Sequence, residues 1–167
     1  MRTLVTYMSL SGNTRKLADT IYANIDGPKD LQELSEVQNL EDYDLVFVGF
    51  PVHQFGAPEA VKEFVEKNAK GRNIALFVTH AMPPGMDMLK GIMMKCQAPF
   101  AAARVLGVYD CQGELAEKVA LSLMSSPNPQ LQEFGRMRAM TLGHPDAAEV
   151  TRAGEFARII VAMASTE

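Results

Sequence analysis

The sequence predicts an α/β domain: a doubly wound parallel sheet of five strands with helices on both faces. Two observations predict it. Four short runs, Leu4 to Met8, Leu45 to Phe50, Ile74 to Thr79 and Val105 to Tyr109, are rich in Val, Ile, Leu and Phe and lack strict alternation. Strands buried on both faces of a parallel sheet read this way. Between the runs, apolar residues recur at helical spacing, and strands alternating with helices imply right-handed crossover units.

The elements follow in order. The first run is a strand. Leu17, Ala18, Ile21, Tyr22 and Ile25 then line one face of a first helix. A weaker run, Asp30 to Leu34, is too polar for the sheet's centre and reads as an edge strand. After the strand at Leu45 to Phe50, Pro58 marks the start of a helix carrying Val61, Phe64 and Val65 on one face. Five methionines (Met82, Met86, Met88, Met93 and Met94) cluster around the helix after the fourth strand, as flexible core filling or as a soft contact surface. Beyond Tyr109, Glu114 to Met124 reads as one helix. Residues 125–129 (Ser-Ser-Pro-Asn-Pro) break it, and Gln130 to Met140 is helical again. Asp146 and Glu149 stand at capping-box spacing ahead of a last helix with Val150, Ala153, Ala157, Ile160, Val161 and Ala164 on one face. Residues 1–167 thus form one domain, with an extra helical segment at about 114–142.

Composition narrows the function. Apolar residues make up 47% and charged residues 22% of 167, an ordinary globular balance. A net charge of −4 lacks the basic face that a nucleic-acid partner needs. The two cysteines, Cys96 and Cys111, lie too far apart for a CxxC pattern, so no metal centre is expected from them; they read as reduced thiols. No apolar run approaches the length of a membrane span, and the start shows no signal-peptide pattern. The expected location is the cytoplasm.

The most informative segment is Ser9-Leu10-Ser11-Gly12-Asn13-Thr14-Arg15, between the first strand and the first helix. Hydroxyls alternate there with residues that permit tight curvature. Such a loop aims backbone N–H groups at one point beside the positive end of a helix, and this concave nest holds a phosphate without lysine or arginine. Neither a Lys-Ser/Thr triphosphate loop nor a GxGxxG fingerprint is present. The plain alternative is a serine-capped helix start with no ligand.

Tyr7-Met8-Ser9-Leu10-Ser11-Gly12-Asn13-Thr14, followed by Ala18 and Ile21, resembles the phosphate-loop signature of the flavodoxins. Thr6 departs from the apolar residue usual at that place. The resemblance implies the strand order 2-1-3-4-5 and flavin mononucleotide (FMN) as cofactor. It places the phosphate on Ser9, Leu10, Ser11, Gly12, Asn13 and Thr14. Two further loops would hold the flavin ring. The one after the third strand offers Pro51, Val52, His53, Gln54, Phe55 and Gly56, with His53 and Phe55 able to cover a flavin face. The one after the fourth offers Thr79, His80, Ala81 and Met82, whose backbone would meet the pyrimidine edge. Flavodoxins commonly sandwich the ring between two aromatics. This chain has no Trp, and its four Tyr avoid both loops; Phe55 is left as one substitute, with Met82, the prolines or a residue from elsewhere as the other. His53 and His80 are candidates for hydrogen bonds to flavin or for proton transfer, a solvated loop histidine being the alternative. Cys111, at a strand end on the cofactor side, reads as a buried thiol, with an approach to the flavin ring as the alternative.

The implied function is electron transfer by a one-domain FMN carrier that docks transiently with redox proteins, with no catalytic residue of its own. The alternative is a small FMN-dependent reductase of quinone or tetrapyrrole type, or the subunit of one. A receiver domain is excluded because Gly49-Phe50-Pro51 stands where its phosphoacceptor Asp would be. The 114–142 segment leaves the carboxyl end of a strand, where α/β sheets bind ligands. Its apolar residues (Leu115, Val119, Leu123, Met124, Leu131, Phe134, Met137) are expected to pack beside the flavin loops or to form a homodimer contact there, limiting access to the ring; the alternative is a lengthened fifth helix lying on the sheet far from the cofactor.

Overall fold

The computed structural model describes residues 1–166. Five strands, β1 (Thr3–Tyr7), β2 (Lys29–Glu33), β3 (Leu45–Pro51), β4 (Asn73–His80) and β5 (Arg104–Gln112), form one sheet in the order β2-β1-β3-β4-β5. Every neighbouring pair is parallel. The helices are α1 (Asn13–Ala23), α2 (Glu59–Asn68), α3 (Asp87–Gln97), α4 (Glu117–Met124), α5 (Pro129–Arg136) and α6 (Ala147–Ser165). This is the doubly wound order that the flavodoxin resemblance implied.

Two cores lie on opposite faces of the sheet. On one, Leu4, Val46, Val48, Phe50, Leu76 and Val78 pack against Val61, Phe64 and Val65 of α2 and Ile92, Met93 and Cys96 of α3. On the other, Val5, Tyr7, Phe47, Ala75 and Phe77 meet Leu17, Ala18 and Ile21 of α1 and Ala153, Ala157 and Ile160 of α6. Gly49, in the middle of β3, is required by its neighbour: a Cβ there would lie 1.9 Å from the Phe77 ring. Strand interiors use glycine where another group approaches this closely.

The C-terminal third differs from its sequence reading in two places. The helix expected from Glu114 begins at Glu117, because β5 continues to Gln112 and Glu114 is tied down outside the helix. Its backbone N–H donates to the His144 carbonyl and its carbonyl accepts from the Asn13 amide. The helix expected through Met140 ends at Arg136 and tightens into a 3-10 turn, Met137–Thr141. The Thr141 hydroxyl accepts from the Leu115 N–H and donates to the Arg138 carbonyl, clasping the two ends of the segment together. The capping box of α6 is as read: Glu149 N–H donates to Asp146, and Asp146 N–H donates to the Glu149 carboxylate. His144 Nδ1 lies 2.7 Å from the same Glu149 oxygen. His144, Asp146 and Glu149 could group three ligand atoms within 4.8 Å, but these carboxylates already serve the cap. Among the described residues no helix is long and apolar enough to cross a membrane.

Candidate functional site

The loops after β1, β3 and β4 emerge side by side at the carboxyl edge of the sheet. This is its switch point, since β1 sits between β2 and β3 and the crossovers leave it in opposite directions. Open α/β sheets bind their ligands at such a crevice.

In the first loop Gly12 precedes α1 with φ at 93°, a left-handed conformation that favours glycine. It turns the chain so that two backbone N–H groups, of Gly12 and Arg15, point at one oxygen. That oxygen is Ser9 Oγ, at 3.1 and 3.3 Å. The converging donors stand at the positive end of α1 with no acidic residue in its first turn. The donor chemistry fits a phosphate monoester. Asn13 reaches the other way, its amide donating to Ser11 Oγ and to the Glu114 carbonyl at 3.1 and 2.9 Å. Leu10 is 69% exposed at the tip. Thr14 is buried, and its hydroxyl lies 2.8 Å from that of Thr79 at the end of β4. The loop is thereby pinned to the strand that begins the next part of the site.

The second loop opens with Pro51 as the last residue of β3. Val52 N–H donates to the Thr79 carbonyl at 2.8 Å, which joins the second and third loops. His53 and Gly56 then exchange backbone hydrogen bonds around a two-residue turn in which Gln54 and Phe55 both have positive φ, 48° and 63°. Tight hairpin turns of this hand usually take Gly, Asn or Asp. Two bulkier residues there are strained, by about 1 kcal/mol or more each. The turn holds Phe55 outward, 43% exposed, with its ring edge-on to that of Phe134 at 6.5 Å.

In the third loop the His80 side chain is 2% exposed. Its Nδ1 lies 3.0 Å from the Met82 carbonyl and its Nε2 3.1 Å from the Asp110 carboxylate. The carboxylate partner that sequence could not name is therefore Asp110 of β5, and both ring nitrogens are engaged within the protein. The Gln112 amide donates to the Ala81 carbonyl, and Gly113 N–H donates to that of His80. Met82 is buried in the core with its side chain turned away from solvent, whereas Met88 and Met94 are exposed. The methionine cluster is thus split between core and surface. Cys111 faces the α1–α6 core, and burial pushes its thiol up to about 12.

A cavity of about 390 Å³ opens between residues 52–55 of the second loop and 80–82 of the third. Ile92 of α3 closes its floor. Leu115 and, from the α4–α5 hairpin, Val119, Leu123, Leu131 and Phe134 form its roof. Its size is that of a small-molecule site, with apolar walls. A second cavity of about 560 Å³ lies on the other side of the 53–56 turn, beside Leu10, Lys62 and Lys95; of the two, only the smaller is bordered by both loops. Every loop predicted for the site is thus at one edge; none of Ser9 to Thr14 lines the apolar cavity, and Leu10 borders the larger one. Sequence reading missed Ile92, which looks like any helix-face residue, and Asp110.

A family model for the flavodoxin domain matches residues 4–158. The chain belongs to the flavodoxin domain family. It is 32% identical over 175 aligned positions to the flavodoxin-like domain-containing protein BilS of Clostridioides difficile, with 99% of each chain covered. Solved structures share the fold at lower identity. Oxidised flavodoxin 2 from Bacillus cereus superposes with a TM-score of 0.59 at 20% identity, covering 98% of this chain and 99% of its own. General stress protein 14 of Treponema denticola, solved in complex with FMN, gives 0.53 at 14% identity, covering 95% and 98%.

Proposed function

We propose that this flavodoxin-family chain binds FMN and carries electrons between redox proteins that dock on it transiently in the cytoplasm. One observation carries the reading. The converging donors of Gly12 and Arg15 and the apolar cavity between the second and third loops lie at the same carboxyl edge of the sheet. A molecule with a phosphate at one end and a flat apolar ring at the other matches that pair of features. In this reading Ser9 to Thr14 hold the phosphate. Residues 51–56 and 79–82 flank the ring and keep water from it, and the Ala81 and His80 carbonyls are already committed to Gln112 and Gly113. FMN supplies the capacity to take up and release one or two electrons; the protein orients it and sets its surroundings.

The roofed cavity favours a second reading, a small FMN-dependent reductase or its subunit, because a covered apolar space beside a flavin suits a small acceptor as well. Titrating the ligand-free protein with FMN, riboflavin and FAD tests the shared core of both. FMN is expected to bind one to one and tighter than either relative. Equal affinity for all three overturns the phosphate-loop assignment. Adding NAD(P)H to the loaded protein then separates the readings. A carrier leaves the flavin oxidised until a redox protein is supplied, and a self-sufficient reductase bleaches it.

A further inference from the structure

We infer that Phe134, on the α4–α5 hairpin and outside all three cofactor loops, supplies the second wall of the flavin-ring site. The inference rests on the FMN reading above and adds a residue to it. The third loop has no aromatic side chain to lay against a ring: it runs His80-Ala81-Met82-Pro83-Pro84, with the His80 nitrogens engaged and Met82 buried in the core. Phe134 lines the same cavity as residues 52–55 and 80–82, so its ring faces the space between the two loops.

Two features fix it there. Gly135, the next residue, lets α5 cross α4 at close range: a Cβ at this position would lie 2.6 Å from the Ala120 carbonyl oxygen. That contact sets the rotation of α5 about its axis and turns Phe134 toward the cavity. The second feature is the strained turn at Gln54 and Phe55, which presents the Phe55 ring edge-on to Phe134. Strain of this kind persists where the surroundings over-determine it, and it concentrates at ligand clamps. Edge-to-face aromatic pairs hold a preferred geometry, so the two rings make a corner into which a third flat ring can be laid. Phe134 thus acts through contact with the isoalloxazine, not with the phosphate.

The test uses the full chain. Phe134→Ala removes most of one apolar wall, and both FMN and riboflavin are expected to bind roughly tenfold to a hundredfold more weakly. A change acting on the phosphate would leave riboflavin untouched. Phe134→Tyr keeps the shape and puts a phenol against the ring. Tyrosine in contact with flavin quenches its fluorescence and phenylalanine does not, so the bound-flavin emission is expected to fall several-fold, while Leu121→Tyr, on the exposed side of α4, leaves it unchanged. Thermal unfolding of each ligand-free variant identifies any loss of fold, and the Tyr variant answers even where the Ala variant unfolds. Unchanged emission in Phe134→Tyr, or loss of FMN affinity without loss of riboflavin affinity in folded Phe134→Ala, overturns the inference. A wild-type chain that binds neither flavin overturns the FMN reading itself.

Discussion

Thr14 offers a way to separate holding the loop from holding the phosphate. Its hydroxyl and that of Thr79 are each other's hydrogen-bond partner at 2.8 Å, with residue exposures of 1% and 2%. Thr14→Val keeps the shape and strands the Thr79 hydroxyl in a site that water does not reach. A buried hydroxyl left without its partner costs about 1–3 kcal/mol. In a chain of this size each kcal/mol lowers Tm by about 2–4 °C, so the ligand-free protein should melt roughly 2–12 °C lower. Replacing both groups, in Thr14→Val/Thr79→Val, leaves no stranded hydroxyl and should restore most of that loss. Binding behaves differently. When Thr79 donates to Thr14, the Thr14 proton is free to face the phosphate, and a hydrogen bond to a charged group is worth about 1.5–3 kcal/mol. Both variants should therefore bind FMN at least about tenfold more weakly and riboflavin as the wild type does. The assays are thermal melts without ligand and fluorescence titration with each flavin. A double variant as unstable as the single refutes the hydroxyl-pair argument. A parallel loss of riboflavin affinity refutes the phosphate role.

Thr6, the residue that departs from the family signature, has a fully buried hydroxyl without a hydrogen-bond partner. Thr6→Val should accordingly raise stability by about 1 kcal/mol, or Tm by about 2–4 °C, and a lower Tm would show that the hydroxyl is satisfied. Burial raises the thiols of Cys96 and Cys111 to about 11 and about 12. At pH 8 fewer than about one in a thousand of either is ionised; a disulfide reagent should react slowly with the folded protein and promptly in urea, and stoichiometric reaction before unfolding would contradict the burial of both.

β1, β3 and β4 were legible because their neighbours bury them on both faces, which demands continuous apolar runs. β2 was the faintest: both β2 and β5 are edge strands, but β2 is written Lys-Asp-Leu-Gln-Glu whereas β5 keeps Val, Leu, Val and Tyr. The segment after β5 was legible as helical and apolar, but its boundaries were set by contacts distant in sequence. Asn13 and His144 hold Glu114 out of α4, and Thr141 closes back on Leu115. Periodicity carries no information about such ties. The Gly-containing phosphate loop was the easiest part of the site to find, since its donors and Ser9 lie within seven consecutive residues.

The His80–Asp110 contact shows why the rest of the site was hidden. A reader who knew the strand order would still need the register, because side chains alternate between faces and a one-residue slip reverses them all. Asn73 pairs with Arg104 and Ile74 with Val105, but Ala75 pairs with Gly107: one extra residue is inserted in β5. Continued without that insertion, the register would set Asp110 opposite Thr79, on the α1–α6 face and away from His80. With it, Asp110 stands opposite Val78, and Val78 shares a face with His80. Cys111 is moved by the same step onto the α1–α6 core, opposite Thr79. A single bulge thus decides which of two adjacent residues faces the third loop and which is sealed in the core. Nothing in the run Arg-Val-Leu-Gly-Val-Tyr-Asp-Cys-Gln marks it except Gly107, whose missing side chain leaves room for Ile160 and Phe156 of α6. The signal for the bulge lies in a helix some fifty residues downstream, and it is readable only once that helix is packed against the strand.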